Sequence, residues 1–336
     1  MKCVKVPLRQ LNDTRIKLMD EGLMNMEYKI KAAEDYGYIP ITEDIDNYDI
    51  VDIELEPMRK VPHNFSQLLE DELTDEEIEN LRTSFDTIGD IVILEIPDNL
   101  ESKKQLIGDA ALKFTKRKSI YMKKSAIKGT TRVRDLEFLS GIDDSLTIHK
   151  EHGARLKLDV REVYFSPRLA TERKRVMQSV EDGEKILDMF CGIGPFPIVI
   201  AKNKNVDITA VDINEAAIKY LNENIELNKL KGNIETYCGD VRQVSEGFKT
   251  KFDRIIMNLP GLAYTFLDVG VDLIENGGII NYYEFSNGYE QGIKRLEDEC
   301  KKVGKKVEII NTRKVKSTSP GEWHVAIDGK VTSLKE

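Results

Sequence analysis

Two glycines in the run Asp188-Met189-Phe190-Cys191-Gly192-Ile193-Gly194-Pro195-Phe196 follow an apolar strand and precede a helix that opens on Pro195. Glycine lets backbone N–H groups approach a ligand closely, and a helix N-terminus favours negative charge. A dinucleotide fingerprint needs a third glycine three residues further on, where this chain has Pro197. That counts against a nicotinamide cofactor and fits a ligand without pyrophosphate. Three polar residues then stand at successive strand ends. Asp212 can take both hydroxyls of a ribose, Asp240 can accept from an adenine amino group, and Asn258 sits in Met257-Asn258-Leu259-Pro260. Singly, either aspartate reads as a turn or cap residue. In register at the carboxyl ends of strands, the set reads as an S-adenosylmethionine crevice.

The Asn-Leu-Pro element bears on what is methylated. An amide carbonyl beside a rigid proline can accept from a planar base N–H and hold the base edge-on. No cysteine is near for attack on a pyrimidine carbon, and Gly261 rather than an aromatic follows Pro260, with Tyr264 further on. The pattern favours a ring or exocyclic nitrogen of a base without choosing the base.

From Ile186 onward, strands at 186–190, 207–212, 234–238, 254–259 and 278–283 alternate with helices such as 214–227, where Ile218, Leu221 and Ile225 share a face. Such alternation predicts a mostly parallel α/β sheet with helices on both sides, a Rossmann-like class I methyltransferase fold. Two further strands, 307–312 and 322–327, are expected as a closing hairpin. Two smaller α+β units precede it. The first has strands around 4–6, 39–41 and 51–55 and a helix over 11–23. The second has a strand at 91–94, a helix carrying Leu106, Ala110 and Phe114, and a hairpin around Glu151-His152-Gly153. Ser166-Pro167 reads as an N-cap followed by proline in the first turn of a helix reaching about 180. The expected divisions are 1–65, 66–165 and 166–336.

The formal net charge of −9 hides segregation. Residues 43–90 hold 16 acids against three basic residues, 113–134 hold nine Lys or Arg and no acid, and 301–316 hold seven basic residues against Glu308. Unpaired cations at that density suggest a polyanionic partner for 113–134. The four cysteines are scattered and form no C-x-x-C pair, so neither a metal site nor a disulfide framework is expected. The chain has no membrane-length apolar run and begins without a signal-like segment, which leads to the expectation of a cytoplasmic protein with no membrane partner.

Several motifs together resemble one family, the archaeal and eukaryotic tRNA guanine-37 N1-methyltransferases. They are Arg132-Val133-Arg134-Asp135-Leu136-Glu137, Thr147-Ile148-His149-Lys150-Glu151, Val163-Tyr164-Phe165-Ser166-Pro167-Arg168, the 188–196 loop and Met257-Asn258-Leu259-Pro260. The likeness runs from about Ile88 to the C-terminus, and the first unit resembles the extra domain of archaeal members. It implies methyl transfer from S-adenosylmethionine to N1 of the guanosine 3′ of the anticodon. It also implies Glu172 as general base and Arg132 as the cation that stabilises charge on guanine O6. Asn258, Pro260 and Tyr164 would shape the base pocket. Arg173, Asp188, Phe190, Gly192, Gly194, Asp212, Ile213, Asp240, Val241 and Asn258 would hold the cofactor, with no metal. Without the family, Glu172 reads as a surface helix residue pairing with Arg168 or Arg175, and Arg132 as one more cation. Ala170-Thr171 stand where relatives often have two glycines. The implied partner is tRNA, through its anticodon stem-loop and outer body, and the implied state a monomer. The alternatives are a related RNA methyltransferase acting on another base nitrogen or a wyosine precursor, and an RNA-binding protein with a vestigial cofactor pocket.

Overall fold

A computed structural model describes residues 1–58, 62–125 and 134–334. The chain forms two compact units, Met1–His63 and Asn64–Glu336.

In the first unit β1 (Lys2–Pro7), α1 (Leu11–Asp20), β2 (Lys31–Ala33), β3 (Tyr36–Pro40) and β4 (Asp49–Asp52) build an antiparallel sheet of order β2-β3-β1-β4. Val4, Val6, Leu18, Ile39 and Ile41 close its core. The strand expected over 51–55 stops at Asp52, which pairs with Lys2 at the start of β1; past it Ile53 N–H donates to the Met1 carbonyl at 3.1 Å.

The second unit begins with α2 (Asp75–Asn80), held by a reciprocal cap between Thr74 and Glu77. Next come β5 (Asp86–Ile88), β6 (Ile91–Leu94), α3 (Lys104–Thr115), β7 (Ser119–Lys123) and β8 (Leu136–Gly141), whose strands form a sheet in chain order. The hairpin β9 (Leu146–Glu151) and β10 (Ala154–Asp159) follows. Its turn residues His152 and Gly153 have φ of 45° and 79°, the pair of positive values that suits a two-residue hairpin turn. His152 Nε2 lies 2.7 Å from the carbonyl of Ala170.

The remaining elements are α4 (Ala170–Ser179), β11 (Lys185–Asp188), α5 (Pro195–Asn203), β12 (Asp207–Asp212), α6 (Glu215–Leu227), β13 (Asn233–Cys238), α7 (Val241–Ser245), β14 (Phe252–Met257), α8 (Leu267–Leu273), β15 (Ile274–Ser286), α9 (Glu290–Lys302), β16 (Lys305–Ser319) and β17 (Glu322–Ser333). They build the expected α/β sheet, ordered β13-β12-β11-β14-β15-β17-β16. It is parallel from β13 to β15 and antiparallel at β17 and β16. The order reverses about β11, which opens a crevice at the carboxyl ends of β11 and β14. The closing strands are far longer than expected, and Lys316 among the residues added to β16 reaches that crevice.

The division expected at 165/166 is a change of sheet and not of core. Ile88, Ile91 and Tyr121 pack in one cluster with Leu156 and Leu158 of the hairpin and with Ile193, Ile198 and Leu221 around α5 and α6. The hairpin's backbone is further tied to α6. Asn224 exchanges hydrogen bonds with Lys157 N–H and carbonyl, and Asn228 does the same with Arg155. Two amides one turn apart thereby satisfy an otherwise open strand edge.

The basic stretch requires a correction. Its cations are not uniformly unpaired, because acids distant in sequence meet them. Lys118 lies against Asp90 and Asp144, Lys123 against Asp86 and Glu95, and Lys124 against Glu101 and Glu137. Lys113, Lys116 and Arg117 stay exposed at the end of α3.

Candidate functional site

One cavity is walled by the strand ends of the parallel sheet, by residues between Tyr164 and Arg173, and by the starts of α5 and α6. After β11 the chain turns through Phe190 and Gly192 into α5, which starts on Pro195. Gly192 has φ 54°, and the position its Cβ would occupy is open space, so a ligand can approach its Cα closely. Gly194 has a different task. A Cβ there would stand 2.2 Å from Leu221 Cδ1, so this glycine allows α5 to pack against α6.

Asp212 closes β12. Its Oδ2 accepts from Gly192 N–H at 2.7 Å and its Oδ1 from Asn214 N–H at 2.9 Å, so the acid shapes the glycine loop it faces. Burial raises its carboxyl above the ordinary range, although the backbone donors of Asn214, Gly192 and Ile213 oppose the rise. Asp188, 1% exposed, lies behind the wall. Its Oδ1 accepts from Phe190 N–H, while its buried Oδ2 has no hydrogen-bond partner among the described residues. Burial, with a smaller contribution from the charge of Asp212, pushes the Asp188 carboxyl up to about 8. Asp240 caps α7 through Oδ1 and lines the cavity with Val241 and Ile213.

At the other end of the cavity stand Asn258, Pro260 and Tyr164. The Asn258 Oδ1 is buried and has no hydrogen-bond partner among the described residues. A buried carbonyl left this way costs about 1–3 kcal/mol, which a ligand N–H would recover. Phe285, Lys316 and His324 complete this end from β15, β16 and β17. None was singled out from sequence: the expected strands stopped short of Phe285 and Lys316, and His324 lay within an expected strand to which no role was given. The long alternating runs on either side of Pro320-Gly321 were the available signal. A second cavity shares Tyr164, Phe285 and Lys316 with the first and adds Lys123, Arg134 and Arg168.

Glu172 and Arg173, adjacent on α4, are each 1% exposed. Arg173 lines the cavity and Glu172 does not. Glu172 accepts from both Nε and Nη2 of Arg175, from the Tyr283 hydroxyl at 2.8 Å, and has Arg313 at 3.5 Å. Arg175 in turn binds Asp328, which Asn281 and Asn311 also hold. The surface reading of Glu172 is therefore corrected in its burial, while the pairing with Arg175 is present. Ser166 makes no side-chain cap, contrary to expectation. Its carbonyl accepts from Arg173 Nη2 at 3.1 Å instead. Arg132 lies outside the described residues.

Three family models match the chain in series. They are the tRNA methyltransferase 5 N-terminal domain over residues 3–49, the TYW2 N-terminal domain over 65–145, and the TRM5/TYW2 methyltransferase domain over 147–310. The chain is 40% identical over 333 residues to the tRNA (guanine(37)-N(1))-methyltransferase Trm5b of Pyrococcus abyssi, covering 98% of each protein. It is 39% identical to the Trm5b of Methanocaldococcus jannaschii, again over 98% of each. Among solved structures it is similar to P. abyssi Trm5b, with a TM-score of 0.87 over 99% of each chain. It is also similar to aTrm5 in complex with tRNALeu, with a TM-score of 0.85, 39% identity and 98% and 99% coverage.

Proposed function

The chain belongs to the TRM5/TYW2 methyltransferase family, and from that premise we infer that it methylates N1 of guanosine 37 in tRNA, using S-adenosylmethionine. The unpartnered Oδ1 of Asn258 beside Pro260 is the observation in the site that carries this reading. Guanine presents N–H donors on its pairing edge, and a buried acceptor at the cavity wall suits that edge.

The residues present fit the cofactor. The open face of Gly192 and the start of α5 suit its polar end, and Asp212 and Asp240 suit ribose hydroxyls and an adenine amino group. The buried Asp188 carboxyl suits a nearby ammonium, and Arg173 a carboxylate. S-adenosylmethionine supplies an electrophilic methyl group on a sulfonium. The chain's own task is to turn the base out of its stack, hold its edge and take the N1 proton. Glu172 is the general base in this reading, and Arg132 steadies the charge that builds on O6. In the free enzyme Arg175 and Tyr283 occupy the Glu172 carboxylate, so it must exchange a partner as the guanine enters. Contacts of this sort often tighten only in the substrate complex.

Within the protein, 1–65 contacts the outer body of the tRNA, 66–165 the anticodon stem-loop, and 166–336 carries the reaction. The exposed Lys113, Lys116 and Arg117 serve the phosphate backbone. In this reading the enzyme acts as a monomer in the cytoplasm, where it meets its tRNA.

Two measurements test these assignments. With unmodified tRNA transcripts, methyl transfer is expected with G at position 37 and absent with A, and mass analysis of the digested product should find the methyl group on N1. Transfer at equal rates to both would remove guanine from the reading.

The second test concerns protons. With its folded pKa raised to about 8, Asp188 is neutral in the free enzyme below that pH. The unfolded chain ionises near 4, so this group's contribution to stability is present below about 4 and is lost as pH rises toward 8. At pH about 6.5, pairing with a ligand ammonium would ionise Asp188 and release close to one proton. Calorimetry in two buffers of different ionisation enthalpy reads that release directly. A wild-type protein that releases no more than Asp188→Asn would exclude the pairing.

A further inference from the structure

Thr147-Ile148-His149-Lys150-Glu151 carries part of the family likeness but has no task in the reaction as described. The geometry points to Glu151 as a positioning residue that, with His149 behind it, aims the Arg173 guanidinium at the carboxylate of bound S-adenosylmethionine. The inference rests on Arg173 being a cofactor contact and adds the groups that make it one.

Arg173 is gripped on several sides. Its Nε donates to Glu151 Oε1 at 2.5 Å and its Nη2 to Glu151 Oε2 at 2.6 Å. The same Nη2 donates to the Ser166 carbonyl, and the guanidinium carbon stands 5.1 Å from the centre of the Phe165 ring. These contacts fix the plane of the fork and use Nε and Nη2, while Nη1 takes no part in them. A bidentate arginine–carboxylate pair has this directional rigidity, which a lysine could not supply.

Glu151 is itself fixed from behind. His149 Nε2 lies 3.6 Å from Glu151 Oε2, and His149 Nδ1 accepts from Gly89 N–H at 3.2 Å. A donor at Nδ1 puts the proton of the neutral ring on Nε2, the side facing the carboxylate. Burial alone would raise the Glu151 carboxyl, but hydrogen bonds from His149 and Arg173 outweigh it and hold the group below its ordinary range. Gly89 is irreplaceable in this contact. It turns between β5 and β6 with φ 58°, and a Cβ would stand 2.1 Å from Thr147 Oγ1. The chain Gly89–His149–Glu151–Arg173 thus runs from the turn of the middle sheet to the cofactor cavity.

A purely structural role explains the arrangement poorly. Two charges taken out of water regain little net stability from each other. This pair instead stands at the wall of a cavity where Asp212 and Asp240 suit neutral donors and a ligand carboxylate needs a cation.

Two ligands that differ at one end separate the roles. S-adenosylhomocysteine carries the amino-acid carboxylate, and 5′-methylthioadenosine lacks it. Both are titrated calorimetrically into the full-length wild type, Glu151→Gln, Glu151→Asp and Arg173→Ala. Glu151→Gln is expected to weaken S-adenosylhomocysteine by about tenfold or more, the worth of one charge-assisted hydrogen bond, and to leave methylthioadenosine within about twofold. Glu151→Asp keeps the charge but cannot span the fork, so a smaller loss confined to S-adenosylhomocysteine is expected even if Glu151→Gln folds poorly. Equal weakening of both ligands, or of neither, overturns the inference. Arg173→Ala distinguishes the two levels. If it alone discriminates between the ligands, Arg173 keeps its cofactor role and Glu151 loses its positioning role. If it does not discriminate, the reading of Arg173 falls, and the inference falls with it.

Discussion

Glu172→Gln lowers single-turnover methyl transfer to a guanosine-37 transcript by at least about tenfold, and leaves the affinity for S-adenosylmethionine nearly unchanged. A well-placed general base contributes roughly 10²–10⁴-fold, and the lower bound allows for water taking the proton slowly in its place. Glutamine keeps the size of the side chain and an acceptor for the Tyr283 hydroxyl, but it turns an amide toward Arg175. That substitution also has a stability cost. Breaking a buried ion pair by removing one partner costs about 3–5 kcal/mol, and Arg175 is left with Asp328 alone. Rates must therefore be compared well below the melting temperature of the variant, with cofactor binding as the control for a folded site. Equal turnover in the two proteins would remove Glu172 from the proton transfer. Its ion pair with Arg175 would then be the whole of its function.

The second large effect is on the cofactor. Asp212→Ala raises the Kd for S-adenosylmethionine by at least about a hundredfold, while tRNA affinity stays within about threefold. Two charge-assisted hydrogen bonds to ribose hydroxyls are lost, each worth about 1.5–3 kcal/mol. The same carboxylate also accepts from Gly192 and Asn214 N–H, so its removal loosens the glycine loop that lines the cavity. Parallel calorimetry of cofactor and tRNA separates the outcomes. Unchanged cofactor affinity would end the ribose assignment, and parallel loss of both ligands would mean a damaged fold.

Much of the parallel sheet was legible in the sequence because its signals are local. A strand buried on both faces is a short apolar run, and the turn that follows it needs glycine for backbone reasons alone. Asp212, Asp240 and Asn258 follow such runs at strand ends, and the order of a doubly wound sheet brings those ends together. The closing hairpin was legible only in its middle. Its outer residues alternate less cleanly because β16 carries irregularities at 309–311, 314–316 and 317–319, which shift side chains between faces. Lys316 therefore came to the cavity without forewarning, and His324, although within an expected strand, gained its place there only through the pairing of β17 with β15 and β16.

Charge was read least well, for a different reason. A run of cations looks unpaired when its neighbours in sequence hold no acid, yet pairing is a property of space. Asp86, Asp90, Glu101 and Asp144 come from other strands, turns and loops to meet Lys118, Lys123 and Lys124. Burial is equally non-local. Glu172 lies on a helix whose pattern suggested solvent, but β15 and β17 pass over it and bring Tyr283 and the Asp328 network.

The 188–196 loop shows where the division falls. Its residue types and order alone determined a close-approach turn between strand and helix, because glycine's freedom and the helix N-terminus are consequences of covalent structure. Tertiary packing decided that Gly192 faces the cavity while Gly194 faces Leu221, and that the Asp188 Oδ2 has no partner among the described residues. Those outcomes depend on which atoms fill the space beside each residue, and only the folded chain brings those atoms there.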